Sequence, residues 1–288
     1  MAEVRFSLLA AGHCTVPGHL VLPGAPRHPC RFPALVGLIE HPRHGLVLFD
    51  TGYTERFGEA TRRGVGWCYG KVTPVTFSPE QAVATQLRAR GHDPADVRWV
   101  ILSHLHGDHV AGTQDFPRAR FVYVRSAYDR LQRLGRIRQV LHAYLAELLP
   151  RDFADRVLPV ESLASSPLRR GGLAEGRDLF GDGTVVLVDL PGHAWGHVGV
   201  LVAAADGDWL MAGDACWASE AVRRNVLPAR RAQWLFPDRR AYRETLGRLH
   251  ALHLADPGLR IVPSHCEEAA VRWGALPDLP QTGSGFDF

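Results

Sequence analysis

The sequence predicts a layered α/β fold, with mixed sheets inside and helices outside. Three observations predict it. Short β-type runs recur along the whole chain; two turn segments fold neighbouring runs into hairpins; and helical segments lie between and after the strands rather than in a separate block.

Taken in order, the β runs are residues 4–10, 35–40, 46–50, 99–103, 121–124, 185–190, 197–203, 209–212 and 259–263, rich in Val, Ile, Leu and aromatic residues. His41-Pro42-Arg43-His44-Gly45 has the turn chemistry to join the second and third runs, and Asp206-Gly207-Asp208 does the same for the seventh and eighth. Ser78-Pro79-Glu80-Gln81 offers an N-cap, a proline at the first helical position and a capping-box glutamine, predicting a helix over 78–90 that Gly91 ends. Residues 126–133 and 137–149 read as helices, the second stopped by Pro150. Asp238 caps a helix to about residue 254, with Leu246, Leu249 and Leu252 near one face.

With 46% apolar and 22% charged residues, the 288-residue chain can bury a sizeable core, which excludes disorder and a disulfide-stapled miniature. No repeat or low-complexity linker divides it. We therefore expect a single domain over 1–288, its core at about 4–270 and a surface tail at 277–288. The formal charge of +3 is too small to imply a nucleic-acid partner. Lys71 is the only lysine, a compositional bias toward arginine. Seven of those arginines crowd between Arg118 and Arg138 against one aspartate, Asp129; a solvated helix face is the plainer reading, an anion-attracting rim the functional one. Cys14, Cys30, Cys68, Cys216 and Cys266 form no CxxC pair, so a reducing compartment is expected. The N-terminal stretch lacks a basic leader with a full apolar region, and no apolar run approaches the roughly 20 residues of a membrane span. The expectation is a cytoplasmic protein with no membrane partner, for which a homodimer is compatible.

Histidine is the residue that decides function. Most of the fifteen are scattered; His13, His19, His28, His41, His44, His92, His142, His250 and His253 have no context that assigns them a role. The exception is Ser103-His104-Leu105-His106-Gly107-Asp108-His109, at the end of the 99–103 run. In extended chain, residues two apart point the same way, so His104 and His106 converge on one cation, while a turn after Gly107 carries Asp108 and His109 toward a second. Imidazole with carboxylate suits zinc, with iron, cobalt and manganese as alternatives. Three further segments follow β runs: Pro191-Gly192-His193-Ala194-Trp195-Gly196-His197, Gly213-Asp214 and Ser264-His265. Glycine before His193 and Asp214 lets the backbone turn tightly beside a ligand.

The order HxHxDH, PGHxxGH, GD and a late SH, with Leu48-Phe49-Asp50-Thr51-Gly52 upstream, resembles the metallo-β-lactamase-fold hydrolases over about residues 4–270. That resemblance implies an αββα four-layer sandwich with two metals at one edge of its inner sheets. Carried over residue by residue, it implies His104, His106 and His193 on one metal, Asp108, His109 and His265 on the other, and Asp214 bridging both. Asp50 is implied to orient a ligand, and His197 to be a supporting residue.

Within the superfamily the chain is most similar to the N-acyl homoserine lactonase branch, the quorum-quenching enzymes. The likeness lies in Leu38-Ile39-Glu40-His41-Pro42, Leu48–Tyr53, the SHLHxDH run and Gly213-Asp214-Ala215. This implies a metal-bound hydroxide attacking a lactone or ester carbonyl, with Asp108 and Asp214 as the catalytic carboxylates and Asp108 shuttling the proton. The chain departs from that branch at two positions. Trp217 stands where the branch has a tyrosine, and an indole N–H donates one hydrogen bond but transfers no proton. Gly107 replaces a bulky apolar residue and is expected to leave room beside the metals. Trp195, Trp217 and Gly107 are the candidate pocket residues, for a small molecule bearing an apolar acyl or aromatic group. Two alternatives stand beside the lactonase-like reading: a thioesterase of the glyoxalase-II type, and a metal-loaded ligand-binding or regulatory member with little turnover.

Overall fold

The computed structural model describes residues 3–277; apart from Pro277, the tail expected at 277–288 lies outside the described residues. In chain order the strands are β1 (Arg5–Pro17), β2 (Pro29–His41), β3 (Gly45–Phe49), β4 (Val75–Thr76), β5 (Val97–Ile101), β6 (Arg120–Tyr123), β7 (Val157–Pro159), β8 (Ser165–Arg170), β9 (Leu173–Asp178), β10 (Val185–Asp189), β11 (Val198–Ala204), β12 (Gly207–Gly213) and β13 (Arg260–Pro263). They form two mixed sheets, ordered β4-β1-β2-β3-β5-β6-β7 and β13-β12-β11-β10-β9-β8. In the first, β3, β5, β6 and β7 run parallel; in the second, only β12 and β13 do. Both expected hairpins form, closing at His41 opposite Gly45 and at Ala204 opposite Gly207.

Alternation along the strands sorts the apolar side chains into three layers. Leu8, Ala10, Leu35, Ile39, Val47 and Phe49 of the first sheet meet Leu187, Val198, Val200 and Met211 of the second. Leu9, Ala11, Val36, Leu38 and Leu48 point the other way, toward Val83 and Leu87 of the helix Val83–Ala89 and Leu131 of the helix Arg125–Gln132. The outer face of the second sheet, with Val186, Val188 and Leu210, buries Leu246, Leu249 and Leu252 of the helix Arg239–Ala255. The order is helix, sheet, sheet, helix. Each fully buried leucine or valine contributes roughly 1.5–3 kcal/mol, so these layers are the main source of stability.

Several elements differ from the sequence expectation. β1 does not stop at residue 10 but runs on to Pro17, past an irregularity between Ala10 and His13. The capping box at Ser78 forms, its N–H donating to Gln81 Oε1 at 2.9 Å. Yet it caps only a 3-10 turn, because Ala82 takes an extended ψ of 134° before the α-helix starts at Val83. The helix expected over 137–149 is Arg136–Leu141; Ala143, at φ 49°, turns the chain, and a 3-10 turn follows at Ala146–Leu148. The turn docks Ala143 O onto Gly107 N at 2.9 Å, a tertiary contact that propensity does not encode. The β8–β9 hairpin has no periodic apolar pattern and is absent from the sequence reading.

The C-terminal ends of β3, β5, β10, β12 and β13 open toward one edge of the sandwich. There the sheets are tied by backbone hydrogen bonds from Val198 N to Ser103 O (2.9 Å) and from Leu35 N to Ser264 O (2.9 Å). Loops leaving strand ends at such an edge are where ligand groups converge.

Candidate metal centre

Four loops deliver their side chains to this edge. The segment after β5 places His104, His106, Asp108 and His109; the loop after β10 brings His193; β12 leads into Asp214; and β13 leads into His265. Gly192 is required by close approach, since a Cβ there would lie 2.2 Å from Tyr242 N at a φ of 128°. At Gly213 (φ 56°) a Cβ would lie 2.7 Å from His197 Nε2. Both glycines precede a site residue, as the sequence suggested.

The donors fall into overlapping groups whose ligand atoms lie within 4.8 Å of one another: His104, His106 and His193; His104, His109 and Asp214; Asp108, His109 and His265. His193 Nε2 is 3.2 Å from His106 Nδ1. His265 Nε2 is 3.2 Å from Asp108 Oδ2. Asp214 spans the two ends: Oδ2 faces His193 Nε2 at 3.1 Å, and Oδ1 faces His265 Nε2 at 3.1 Å and His109 Nε2 at 3.5 Å.

Hydrogen bonds behind the imidazoles fix which nitrogen faces inward. Asp50 Oδ2 accepts from His109 Nδ1 at 2.8 Å, and His265 Nδ1 donates to Pro33 O at 2.7 Å. His104 Nδ1 reaches Ser103 Oγ at 2.9 Å, and that hydroxyl in turn donates to Asp50 Oδ2 at 2.8 Å. These three rings therefore turn Nε2 toward the cluster, whereas His106 presents Nδ1 to His193. Asp50 itself is held at φ 64°, a left-handed conformation unusual for aspartate, while its Oδ1 accepts Ser103 N at 2.8 Å. Ser103 escaped the sequence reading; its place between Asp50 and His104 is the one signal that would have found it. His197 Nε2 accepts the backbone N–H of Asp214 at 2.9 Å, so it bonds the main chain that carries the Asp214 carboxylate.

The residues fit a pair of cations. His104 Nε2, His109 Nε2 and Asp214 Oδ1 are buried and make no hydrogen bond, which costs free energy unless something else satisfies them. Burial, reinforced by neighbouring imidazoles, holds His104 and His106 well below the usual histidine range, so both rings are neutral and carry a free lone pair. At His109, burial lowers the pKa, but the Asp108, Asp50 and Asp214 carboxylates outweigh it and raise it to about 9. His106 and Asp108 alone are half-buried; the other five are buried. These two mark the mouth.

A fourth group able to bring three donors together, His41, His44 and Asp182, lies at the far edge. His41 Nδ1 already accepts the Arg43 and His44 backbone N–H groups, and Nε2 donates toward Asp182 and Thr184. Both nitrogens are spent on joining the β2–β3 turn to the β9–β10 turn.

The pocket candidates separate. Gly107 leaves no room beside the cluster, because a Cβ there would meet Phe57 at 2.9 Å and Leu148 at 3.3 Å. Trp195 lies under Arg130, 3.6 Å from the ring centroid, and against His142. Trp217 is at the centre: its Nε1 donates to Asp214 Oδ2 at 3.3 Å, and its ring meets His193, Phe32 and Phe236 at 5.8, 5.7 and 5.4 Å. The indole N–H is thus engaged with the carboxylate rather than free for a ligand. Phe32 also stacks on His265 at 4.4 Å, a contact across 233 positions that the sequence did not show. The arginines between 118 and 138 are partly spoken for, Arg125 by Asp129 and Arg136 by Glu147.

Replacing Asp50 with alanine removes the acceptor that orients His109 and Ser103. We expect metal affinity to fall about 10–100-fold with the fold retained, measured by competition with a chromophoric chelator. Unchanged affinity would remove Asp50 from the site's support.

A helix–sheet–sheet–helix sandwich with imidazoles and carboxylates gathered at one edge defines the scaffold of a metallohydrolase. The family described as the metallo-beta-lactamase superfamily matches residues 31–265, and the chain belongs to it. Among curated proteins, it is 29% identical over 198 residues to N-acyl homoserine lactonase AttM of Agrobacterium fabrum, covering 66% of this chain and 68% of that protein. It is 30% identical over 233 residues to a probable metallo-hydrolase of Mycobacterium tuberculosis, covering 77% and 71%. The fold matches an N-acyl homoserine lactone hydrolase solved with N-hexanoyl-L-homoserine at its catalytic metal centre. The TM-score is 0.70 at 20% identity, over 96% of this chain and 99% of that one. No helix among the described residues is long and apolar enough to cross a membrane.

Proposed function

We propose that the protein is a dinuclear-metal hydrolase acting on a lactone or ester carbonyl. The observation that carries this is Asp214, whose two oxygens face the two imidazole groups separately, as a bridging carboxylate must. His104, His106 and His193 would hold one cation and Asp108, His109 and His265 the other. Zinc suits the donor set best, with iron, cobalt and manganese as alternatives; a similarly folded protein is described as a dizinc quorum-quenching lactonase. Two such cations supply Lewis acidity toward a carbonyl oxygen and make water acidic enough to attack at neutral pH.

The chain's own residues do the rest. Asp108, half-buried at the mouth, is placed to take up a proton and return it to the departing oxygen. Trp217 holds Asp214 through its N–H. With Phe32 and Phe236, its ring forms an aromatic wall for an apolar acyl or aromatic group. An indole N–H transfers no proton, and here it is committed to Asp214, so leaving-group protonation falls to Asp108. The lactone reading also draws on the relatives named N-acyl homoserine lactonases.

The test is zinc-loaded protein assayed on an acyl homoserine lactone, an aromatic lactone, an aryl ester and S-lactoylglutathione. A lactone or ester should exceed the thioester at least about tenfold in kcat/KM. Turnover of the thioester alone would replace this reading with the thioesterase one. An inert enzyme that the lactones nonetheless stabilise thermally would favour a binding role.

A further inference from the structure

Eight large apolar side chains are exposed among the described residues, and seven of them sit on three segments anchored to the His/Asp edge. Val65, Trp67 and Val72 belong to the first segment, whose Tyr69 ring packs 5.3 Å from Phe57, the residue filling the space at Gly107. Ile137 and Leu141 lie on the helix Arg136–Leu141, which touches the helix Gly66–Val72 and leads into the Ala143–Gly107 hydrogen bond. Trp234 and Leu235 precede Phe236, whose ring is 5.2 Å from His193. The eighth, Leu254, is on the helix Arg239–Ala255, away from these segments. Trp67, Val72, Leu141, Trp234 and Leu235 are 50, 76, 73, 71 and 72% exposed, far beyond what packing requires.

The charge on these segments is one-sided. Residues 62–72, 130–142 and 230–236 contain Arg62, Arg63, Lys71, Arg130, Arg133, Arg136, Arg138, Arg230 and Arg231, all exposed, and no Asp or Glu, although the whole chain is only +3. Carboxylates on neighbouring elements are Glu55 and Glu59 on the helix Glu55–Ala60, Asp129 paired with Arg125, Glu147 paired with Arg136, and Asp238, which caps the helix Arg239–Ala255. Lys71 Nζ lies over the Trp67 ring at 5.4 Å, keeping its charge at the tip of the apolar residue.

Isolated tryptophans and aliphatic tips among arginines match the headgroup layer of a bilayer. Indole rings settle at that depth, and long cationic side chains reach up to phosphates. A second copy of the chain is the poorer occupant, since a symmetric contact would set these cations, of which Arg136 alone is paired among the described residues of its own chain, against their counterparts. We propose that this edge of the sandwich docks peripherally on an anionic lipid surface. Trp67, Leu141 and Trp234 enter the headgroup layer, and the mouth between His106 and Asp108 is held close to it. Such docking needs no spanning helix, and it does not depend on which bond the centre cleaves.

The test is flotation of the full, metal-loaded chain with vesicles of phosphatidylcholine alone or mixed with phosphatidylglycerol. The mixed vesicles should retain at least about tenfold more protein at low salt, and retention should collapse near about 0.5 M salt. The triple variant Trp67→Glu, Leu141→Glu, Trp234→Glu should lose retention while Leu254→Glu keeps it. Arg62→Gln and Arg138→Gln should each lower it about fivefold, which decides the matter if the triple variant folds poorly. Equal retention on both vesicle types overturns the proposal. So does insensitivity to the arginine changes, or loss of self-association in the triple variant without vesicle binding by the parent.

Discussion

Asp214→Ala should lower hydrolysis by about 10³-fold or more and cut bound metal from about two equivalents to below one. Its carboxylate faces both imidazole sets, with 3.1 Å contacts to His193 on one side and His265 on the other. The substitution also strands Trp217, whose N–H loses its acceptor. Removing His106 should act less symmetrically: it lies at the mouth, shares its place with His104 and His193, and touches only one end of the centre. His106→Ala is thus expected to lose one equivalent while keeping the other. Metal analysis of the two purified variants beside the parent checks the difference. An Asp214→Ala protein that retains both equivalents and full activity would end the bridging role.

Chelation should abolish activity and lower the melting temperature by about 5–10 °C, reversed by added zinc. A ligand present at about 100 times its dissociation constant stabilises by about 2.7 kcal/mol, and about 2–4 °C accompanies each kcal/mol for a chain of this size. Without cations, the Asp108, Asp50 and Asp214 carboxylates have only imidazolium to balance them, and His109 is raised to about 9 from 6.5. A raised folded-state pKa contributes stability that is complete below about 6.5 and is lost as pH climbs through 9. The metal-free protein should therefore melt progressively lower between those values, whereas the loaded protein should not. For the same reason, zinc added at pH 7 in weak buffer should release a proton, because His109 must give one up to offer Nε2. Full activity in a verified metal-free sample, or no proton release, would contradict this account.

The run from Ser103 to His109 was legible because its donors are local. An extended His104 and His106 followed by a turn at Gly107 are consequences of chain geometry within six residues. Asp214 and His265 were legible as residues after strands, and Gly192 and Gly213 because no other residue fits where they sit. What stayed hidden depends on distance along the chain. Ser103 could not be recognised without Asp50 beside it, nor Phe32 without His265 across the sandwich. Gly107 was misleading for the same reason: the side chain it lacks is replaced in space by Phe57 and Leu148. Helices fared similarly. The capping box at Ser78 formed as its residues dictate, but the extended backbone at Ala82 delays the helix after it, and docking at Ala143 follows an early end to the helix Arg136–Leu141.

By itself, then, the sequence determined the layered α/β architecture, through alternation and turn chemistry, and marked the candidate donors, through their order after successive strands. Tertiary structure alone decided which nitrogen each imidazole turns inward, that Asp214 faces both groups, that Trp217 spends its N–H on that carboxylate, and that cations and apolar tips crowd the same edge. The division has a physical cause. Periodicity and turns are set by covalent geometry and near neighbours. Orientation, burial and charge accumulation are set by which loops the two packed sheets bring together at one edge.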